Sequence, residues 1–162
     1  MSEVVAPQRL MTAGALLAAW IGAALLVAAV VAPAAFAVLP TRALAGALVG
    51  RVLPQVFYAG MLLGAVAAAL AWTDRTAPHA TARAVASLGT VVACAVAQWV
   101  IGPRIARLRE AIGPSVEALA TTDPQRIAFG RLHGLSVLAM GVGMVAAFVA
   151  IVLALMALRG KS

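Results

Sequence analysis

Apolar residues fill four long stretches of this chain, and polar residues are concentrated in the short segments between them. A helix that crosses a membrane needs about 20 mostly apolar residues. We predict such spans at about residues 10–39, 44–72, 84–106 and 125–158. Because the stretches are continuous and not alternating, they indicate helices and exclude barrel strands. The pattern therefore predicts an all-α integral membrane four-helix bundle, formed by a single domain over residues 1–162.

The connection between the third and fourth spans has a pattern of its own. Over residues 105–119 the apolar positions recur at helical spacing, whereas Arg109 and its charged neighbours face elsewhere. This spacing predicts an amphipathic helical segment near the lipid headgroups, between helices 3 and 4. We expect it to break at Gly113-Pro114, and we expect Asp123 to cap the start of the fourth helix.

Composition and charge agree with a membrane protein. The chain is 64% hydrophobic and only 10% charged, and a water-soluble domain of this size could not bury so much apolar surface. The formal net charge of +7 would suggest nucleic acid in a soluble protein. Here the basic residues lie mostly at the ends of the spans, where they contact anionic headgroups. We therefore expect the lipid bilayer as a partner, no nucleic acid, and a multi-pass location in the cell's inner (plasma) membrane.

The basic residues also indicate an orientation. An even number of spans places both termini on one side, together with Arg9, Arg75, Arg83, Arg159 and Lys161. The opposite side carries seven basic residues against these five. By the positive-inside rule, the connection between helices 3 and 4 is predicted to be cytoplasmic.

Polar side chains inside the spans are the candidates for a functional site, because polar groups at membrane depth are costly and tend to face a bundle interior. By the rise per residue of a helix, those of three helices fall in one half of the membrane. Three arginines without an acidic partner inside the spans would suit a carboxylate or phosphate. The predicted ligand-binding vestibule consists of Arg51, Gln55, Tyr58, Gln98, Arg104, Arg131, His133 and Ser136.

Two interpretations of this cluster remain open. In the first, the vestibule serves transport or binding of a small polar or anionic solute. In the second, the arginines extend to the headgroups and the glutamines join helices, so that the chain is a structural or accessory subunit of a larger membrane complex. Because four helices make a thin wall for a carrier, we expect a homo-oligomer or a partner membrane protein.

A soft-metal site is a further alternative. Cys94, His133, Met140 and Met144 offer thiolate, imidazole and thioether ligands of the kind that suit Cu(I), although methionine commonly just fills gaps in cores. Enzymatic chemistry is not expected, since no acidic residue inside the spans could orient His133 toward Ser136 as in a hydrolase. We likewise expect no cofactor.

Short motifs in all four spans support a family assignment. They are Trp20, Leu39-Pro40, Arg51-Val52-Leu53-Pro54, Phe57-Tyr58, the segment from Trp99 to Arg104, and His133-Gly134-Leu135-Ser136. On these motifs the chain resembles the transmembrane protein 205-like family, also described as domain of unknown function 4149, over nearly its whole length. The resemblance implies a four-helix bacterial or organellar membrane protein of unsettled biochemistry.

Two positions depart from the family pattern. Gly102 stands where relatives have a glutamate before Pro-Arg, and Met140 stands where they have an asparagine four residues beyond the serine. An Arg–Glu pair or an asparagine hydrogen bond is therefore not implied for this chain. The matched positions do include Arg51, Arg104 and His133 of the predicted vestibule.

Overall fold

Four long helices build the protein in the computed structural model, which describes residues 2–75, 77–113 and 116–159. Helix α1 covers residues 2–38 and α2 covers Arg42–Thr73, while α3 covers Ala80–Ile112 and α4 covers Pro124–Arg159. All four are long and apolar enough to cross a membrane, and no strand occurs in the described ranges. This confirms the predicted all-α four-helix membrane architecture.

Helix ends follow local sequence signals. The Leu44 N–H donates to Thr41 Oγ1 at 3.2 Å before α2, and the Gln125 N–H donates to Asp123 Oδ1 at 2.8 Å before α4, so the predicted Asp123 cap is confirmed. Helix α3 stops at Ile112, and Gly113 has a φ of 88°, which favours glycine. The predicted break also involved Pro114, which lies outside the described residues. A short 3₁₀ turn, Val116–Ala118, follows.

Helices α1 and α3 each contain one π-helical turn, at Val27–Val31 and Val96–Ile101. Both turns lie just before a proline, Pro33 or Pro103, whose ring would clash with a carbonyl of the preceding turn in a regular α-helix. A π turn absorbs an extra residue. It therefore rotates the rest of the helix by about 100° relative to an uninterrupted α-helix of the same sequence.

The helices pack in a closed ring, in which α1 contacts α2 and α4, and α3 contacts α2 and α4. Near mid-height the four backbones meet in a central layer formed by Trp20, Gly60, Cys94 and Gly143. A Cβ atom at Gly60 would lie 2.5 Å from Cys94 Sγ and 2.6 Å from Trp20 Nε1, so only glycine fits there. Trp20 is 1% exposed and its Nε1 donates to the Val56 carbonyl at 2.8 Å. The central layer thus closes the interior of the bundle.

The end of the bundle at the α2–α3 turn buries charge within the protein. Arg83 is 4% exposed and Asp74 is 7% exposed. Among the described residues, Nε and Nη2 of Arg83 and Oδ2 of Asp74 have no hydrogen-bond partner. The sequence pattern had placed Arg83 among the charges at a membrane surface. Arg83 does lie at that end of the bundle, but it is enclosed by protein and does not reach the membrane surface, because it shares the buried face of α3 with Ser87 and Thr90.

Candidate functional site

A crevice lies between α2, α3 and α4 at the end of the bundle that carries the α3–α4 connection. It consists of two adjoining chambers that share Gly50, Leu53, Ile105, Arg109 and Ser136. The upper chamber, nearer the connection, has a volume of about 410 Å³, and the lower chamber, nearer the central layer, has about 350 Å³. Both volumes are in the range of small-molecule sites.

Two glycines on α2 make room for the crevice. Gly46 and Gly50 are one helical turn apart, and a Cβ atom at either would approach Arg109, at 3.0 Å from Nη2 or 3.4 Å from Nη1. The missing side chains allow the long arginine of α3 to reach the α2 backbone. Pro54 also lacks the N–H that would bond the Gly50 carbonyl in a regular helix, so this carbonyl is left without its helical donor.

Arg109 crosses the crevice where the two chambers meet. Its Nη1 donates to the Gly46 carbonyl at 3.1 Å, and its guanidinium carbon lies 5.5 Å from the centre of the Phe129 ring on α4. The side chain is half-buried. Within the described part of the chain, no carboxylate lies within 4.0 Å of it, since the ion pair found there joins Arg42 and Glu117. A cation without a carboxylate in direct contact, among the residues described, is therefore held between three helices.

The rim of the upper chamber carries the remaining charges. Arg42 and Glu117 are exposed there and lie 3.8 Å apart, and the His133 side chain also lines this chamber. With Arg109, the lining contains two guanidinium groups and one carboxylate. The upper chamber is therefore net positive, even when His133 is neutral.

Three of the predicted site residues line the crevice. Ser136 is 9% exposed and borders both chambers, His133 borders the upper one, and Gln98 borders the lower one. Tyr58 lies beside them, because Gln98 Nε2 donates to Tyr58 Oη at 3.5 Å. The structure thus brings together polar residues of α3 and α4, with Tyr58 of α2 at the edge.

The other predicted residues lie elsewhere: Arg51, Gln55, Arg104 and Arg131 are exposed and line neither chamber. On α2, the residues that border the crevice include Gly50 and Phe57, and the stripe from Arg51 to Tyr58 is displaced from them by one residue, or about 100° around the axis. With its side-chain amide turned over, the Gln55 nitrogen can instead donate to the Arg51 and Val52 carbonyls of its own helix.

The π turn of α3 explains why Arg104 faces outward while Arg109 faces inward. Extrapolating a straight α-helix from Cys94 would direct residue 108, and not Arg109, toward the bundle. The extra residue in Val96–Ile101 rotates the following segment by about 100°, which turns Arg109 inward and Arg104 outward. The sequence analysis had placed Arg109 on an outer polar face. The closely spaced Gly46 and Gly50 were the signal that a long side chain could enter there.

Arg131 occupies a different surface of α4. It borders a shallow cavity of about 520 Å³ together with Ile127, Ala128 and Leu132, away from α2 and α3. The three arginines that were predicted to create a positive vestibule are therefore spread over three outer surfaces, and Arg109 takes their place.

The four candidate soft-metal ligands do not converge. Cys94 and Met140 are buried in the core, and Met144 packs against it, but His133 lines the upper chamber. His133 and Met140 are seven residues apart on one helix, about 10 Å along its axis, so His133 lies about two helical turns from Met140 toward the α3–α4 connection. Among the residues that the structure describes, no group of three or more His, Cys, Asp or Glu side chains is placed to hold a metal ion.

Comparison with known proteins adds one match. The model of a family described as "Domain of unknown function (DUF4149)" matches residues 15–113, which is more than half of the chain. No curated protein and no solved structure matches the chain. The matched segment includes all of α2 and α3, and therefore Gly46, Gly50, Gln98 and Arg109 of the crevice. His133 and Ser136 lie beyond it.

Proposed function

Because the chain belongs to the DUF4149 family, whose description assigns no function, we propose a function from the crevice itself: the protein binds a small anionic solute there. The observation that supports this most is the placement of Arg109. It is a half-buried guanidinium at the meeting point of two chambers, and no carboxylate of the described residues lies within 4.0 Å of it. A guanidinium matches the geometry of a carboxylate or phosphate, which would supply the missing negative charge.

Neighbouring groups would position the anion. The Gly46 carbonyl and the Phe129 ring orient the guanidinium from two sides, which reduces the side-chain entropy lost on binding. The Ser136 hydroxyl and the His133 imidazole border the same chamber and can donate further hydrogen bonds. Orientation by several such donors would select a planar or tetrahedral oxyanion over a spherical ion.

Binding is the step that a single copy supports. The central layer lies below the lower chamber, so the crevice is a blind pocket and not a continuous pore. Transport, which remains part of the proposal, would require the helices to separate at Trp20 and Gly60, or a second copy to complete a path. The solute site would then open alternately to the two sides of the membrane as the helices separate and close at Trp20 and Gly60.

The pocket is proposed to face the cytoplasm across the inner membrane. Without Arg83 and Arg109, which both lie inside the bundle, the side of the termini retains four basic residues against six on the side of the α3–α4 connection. Labelling of a cysteine introduced at Thr122 in spheroplasts tests this orientation. A membrane-impermeant maleimide added outside should fail to label it, and efficient labelling would reverse the assignment.

The binding proposal is tested with Arg109→Gln and the matched control Arg104→Gln, which removes an exposed charge from the same helix. We expect inorganic phosphate or acetate to raise the melting temperature of the wild type and of Arg104→Gln in nanodiscs. At a hundredfold excess over Kd, the stabilisation would be about 2.7 kcal/mol. Arg109→Gln should fold but lose the shift. An equal shift in all three proteins would refute the proposal.

A second candidate function, as a subunit of a larger assembly, is favoured by the outer face of α2 and α3. Tyr58 is 50% exposed near the middle of α2, and it pairs with the half-buried Gln98. Polar groups that face lipid at this depth are costly unless a partner satisfies them. Because hydroxyl and amide groups both donate and accept, they suit a second copy of this chain.

This second candidate is tested by disulfide trapping in membranes. Tyr58→Cys should form a covalent dimer on mild oxidation, whereas Val145→Cys, on the exposed face of α4, should remain monomeric. The native Cys94 is buried and serves as an internal control. If neither variant forms a dimer, a second copy does not cover this face.

A further inference from the structure

We infer that the ligand of the crevice is an amphiphilic anion, with a carboxylate or phosphate head at Arg109 and a single apolar chain in the lower chamber. This inference rests on the proposed function and specifies its ligand class. Three properties of the crevice support it: its length, its chemical gradient and its opening toward lipid.

The crevice has the length of one membrane leaflet. It extends along α2 from Arg42 to Phe57. These residues are 15 positions apart, about 22 Å at 1.5 Å per residue. The hydrocarbon core of a bilayer is about 30 Å thick, so one leaflet with its headgroups has a similar depth. The lower end of the crevice faces the central layer, near the expected middle of the membrane. Below the Arg109 guanidinium, which bonds the Gly46 carbonyl, the crevice continues for 11 positions to Phe57, about 16 Å, and an apolar chain aligned with the lipids would fill this lower part.

The number of charged side chains falls along the crevice in the same direction. The upper chamber carries Arg42, Glu117 and His133, whereas the lower chamber is lined mainly by glycine, proline and apolar residues such as Leu53, Phe57 and Ala97. Among the described lining residues of the lower chamber, Arg109 alone is charged, and it lies at the boundary. A small oxyanion would occupy the boundary and leave the apolar walls without contacts, while an attached chain would contact them.

The lower chamber also opens sideways. Pro103 and Ala106 of α3 line it and are themselves exposed, on the surface that a membrane would cover. A chain can therefore enter from the leaflet without crossing the polar rim. The head would follow along the crevice until it meets Arg109.

The test uses a substitution that fills the lower chamber from its exposed wall. Ala106→Phe places a ring in the chamber, and Ala111→Phe adds the same ring at an exposed position of α3 that does not line it. Wild type, both variants and Arg109→Gln are reconstituted in phosphatidylcholine nanodiscs with palmitate, and adducts are counted by native mass spectrometry. Palmitate partitions equally into all four samples, so a difference between them reports the chamber. Phosphate-induced thermal shifts are recorded on the same samples.

We expect wild type and Ala111→Phe to retain palmitate, Ala106→Phe to retain it about tenfold less, and Arg109→Gln to lose both palmitate and the phosphate shift. A phosphate shift that depends on Arg109, together with equal palmitate retention in Ala106→Phe and Ala111→Phe, would overturn the amphiphile and leave anion binding intact. Loss of neither signal in Arg109→Gln would overturn both proposals.

The same spectra identify the source of the head group. Nanodiscs that contain phosphatidylglycerol add a second anionic amphiphile, whose adduct differs in mass from that of palmitate. Preferential retention of palmitate assigns the site to a free carboxylate, and preferential retention of phosphatidylglycerol assigns it to a membrane lipid. Both support an amphiphilic anion with one chain in the lower chamber, since the second chain of phosphatidylglycerol would remain in the surrounding lipid. Retention of neither, with wild-type phosphate binding, contradicts it.

Discussion

Arg104 and Arg109 are similar in sequence context, but their surroundings in the bundle differ. Both follow apolar residues near the end of the third span, and only Arg109 meets a backbone without side chains, at Gly46 and Gly50. The Arg109 guanidinium therefore has space because α2 carries no side chains at these two positions. The same principle operates at mid-height, where Gly60 accommodates both Trp20 and Cys94. In this protein, small residues decide where large or charged ones can be placed.

Substitution of Gly60 tests this dependence. Gly60→Ala should destabilise the bundle by about 1–3 kcal/mol, because the added methyl group would overlap the Trp20 ring and the Cys94 sulfur. Gly14→Ala is the matched control, since a Cβ atom at Gly14 meets nothing within 4 Å. Thermal unfolding in detergent should show a lower melting temperature for Gly60→Ala and an unchanged or slightly higher one for Gly14→Ala. Equal melting temperatures would show that the central layer is loosely packed.

The π turn of α3 converts a helix with one amphipathic pattern into two segments with different inward faces. Before the turn, Arg83, Ser87, Thr90 and Cys94 face the bundle. Beyond it, the inward face passes through Ile105 and Arg109. The π turn therefore allows the core-facing residues and the crevice-facing residues of α3 to point into the bundle at the same time.

A pair of deletions tests the role of this turn, in a Pro103→Ala background that tolerates a regular helix. Deletion of Val100 removes the extra residue of the turn, so Arg109 should keep its orientation, and both the melting temperature and the phosphate shift should be largely retained. Deletion of Val85, another exposed valine but in the regular part of α3, should rotate Ser87, Thr90 and Cys94 out of register and prevent folding. If both deletions lower the melting temperature equally, the π turn tolerates the loss of a residue no better than the regular part of α3 does.

The whole bundle is asymmetric between its two ends. At the α2–α3 turn, Arg83 and Asp74 are enclosed by packing, and Thr90 Oγ1 donates to the Gly143 carbonyl at 3.2 Å within the core. At the other end, Arg109 borders a crevice of two chambers. Because the central layer separates these ends, water and solutes should reach only one of them.

Thiol accessibility measures this separation. In folded protein, Cys94 should resist a water-soluble maleimide, since it is fully buried in the central layer, whereas His133→Cys in the upper chamber should react within minutes. Unfolding in sodium dodecyl sulfate should make Cys94 react and provides the control. Comparable labelling of Cys94 before and after unfolding would mean that a water path runs through the bundle.

Local sequence determined the membrane class, the four helices, their approximate ends and the Asp123 cap, because each depends on hydropathy over about 20 residues or on contacts a few residues apart. The positions of Gln98, His133 and Ser136 near one pocket also followed from depth along the helices. The rotation of each helix about its own axis could not be predicted in this way, since it depends on the packing of glycines against Trp20 and on the one extra residue in the π turn of α3. Only the tertiary structure could therefore show that the cation of the crevice is Arg109, and not Arg51, Arg104 or Arg131.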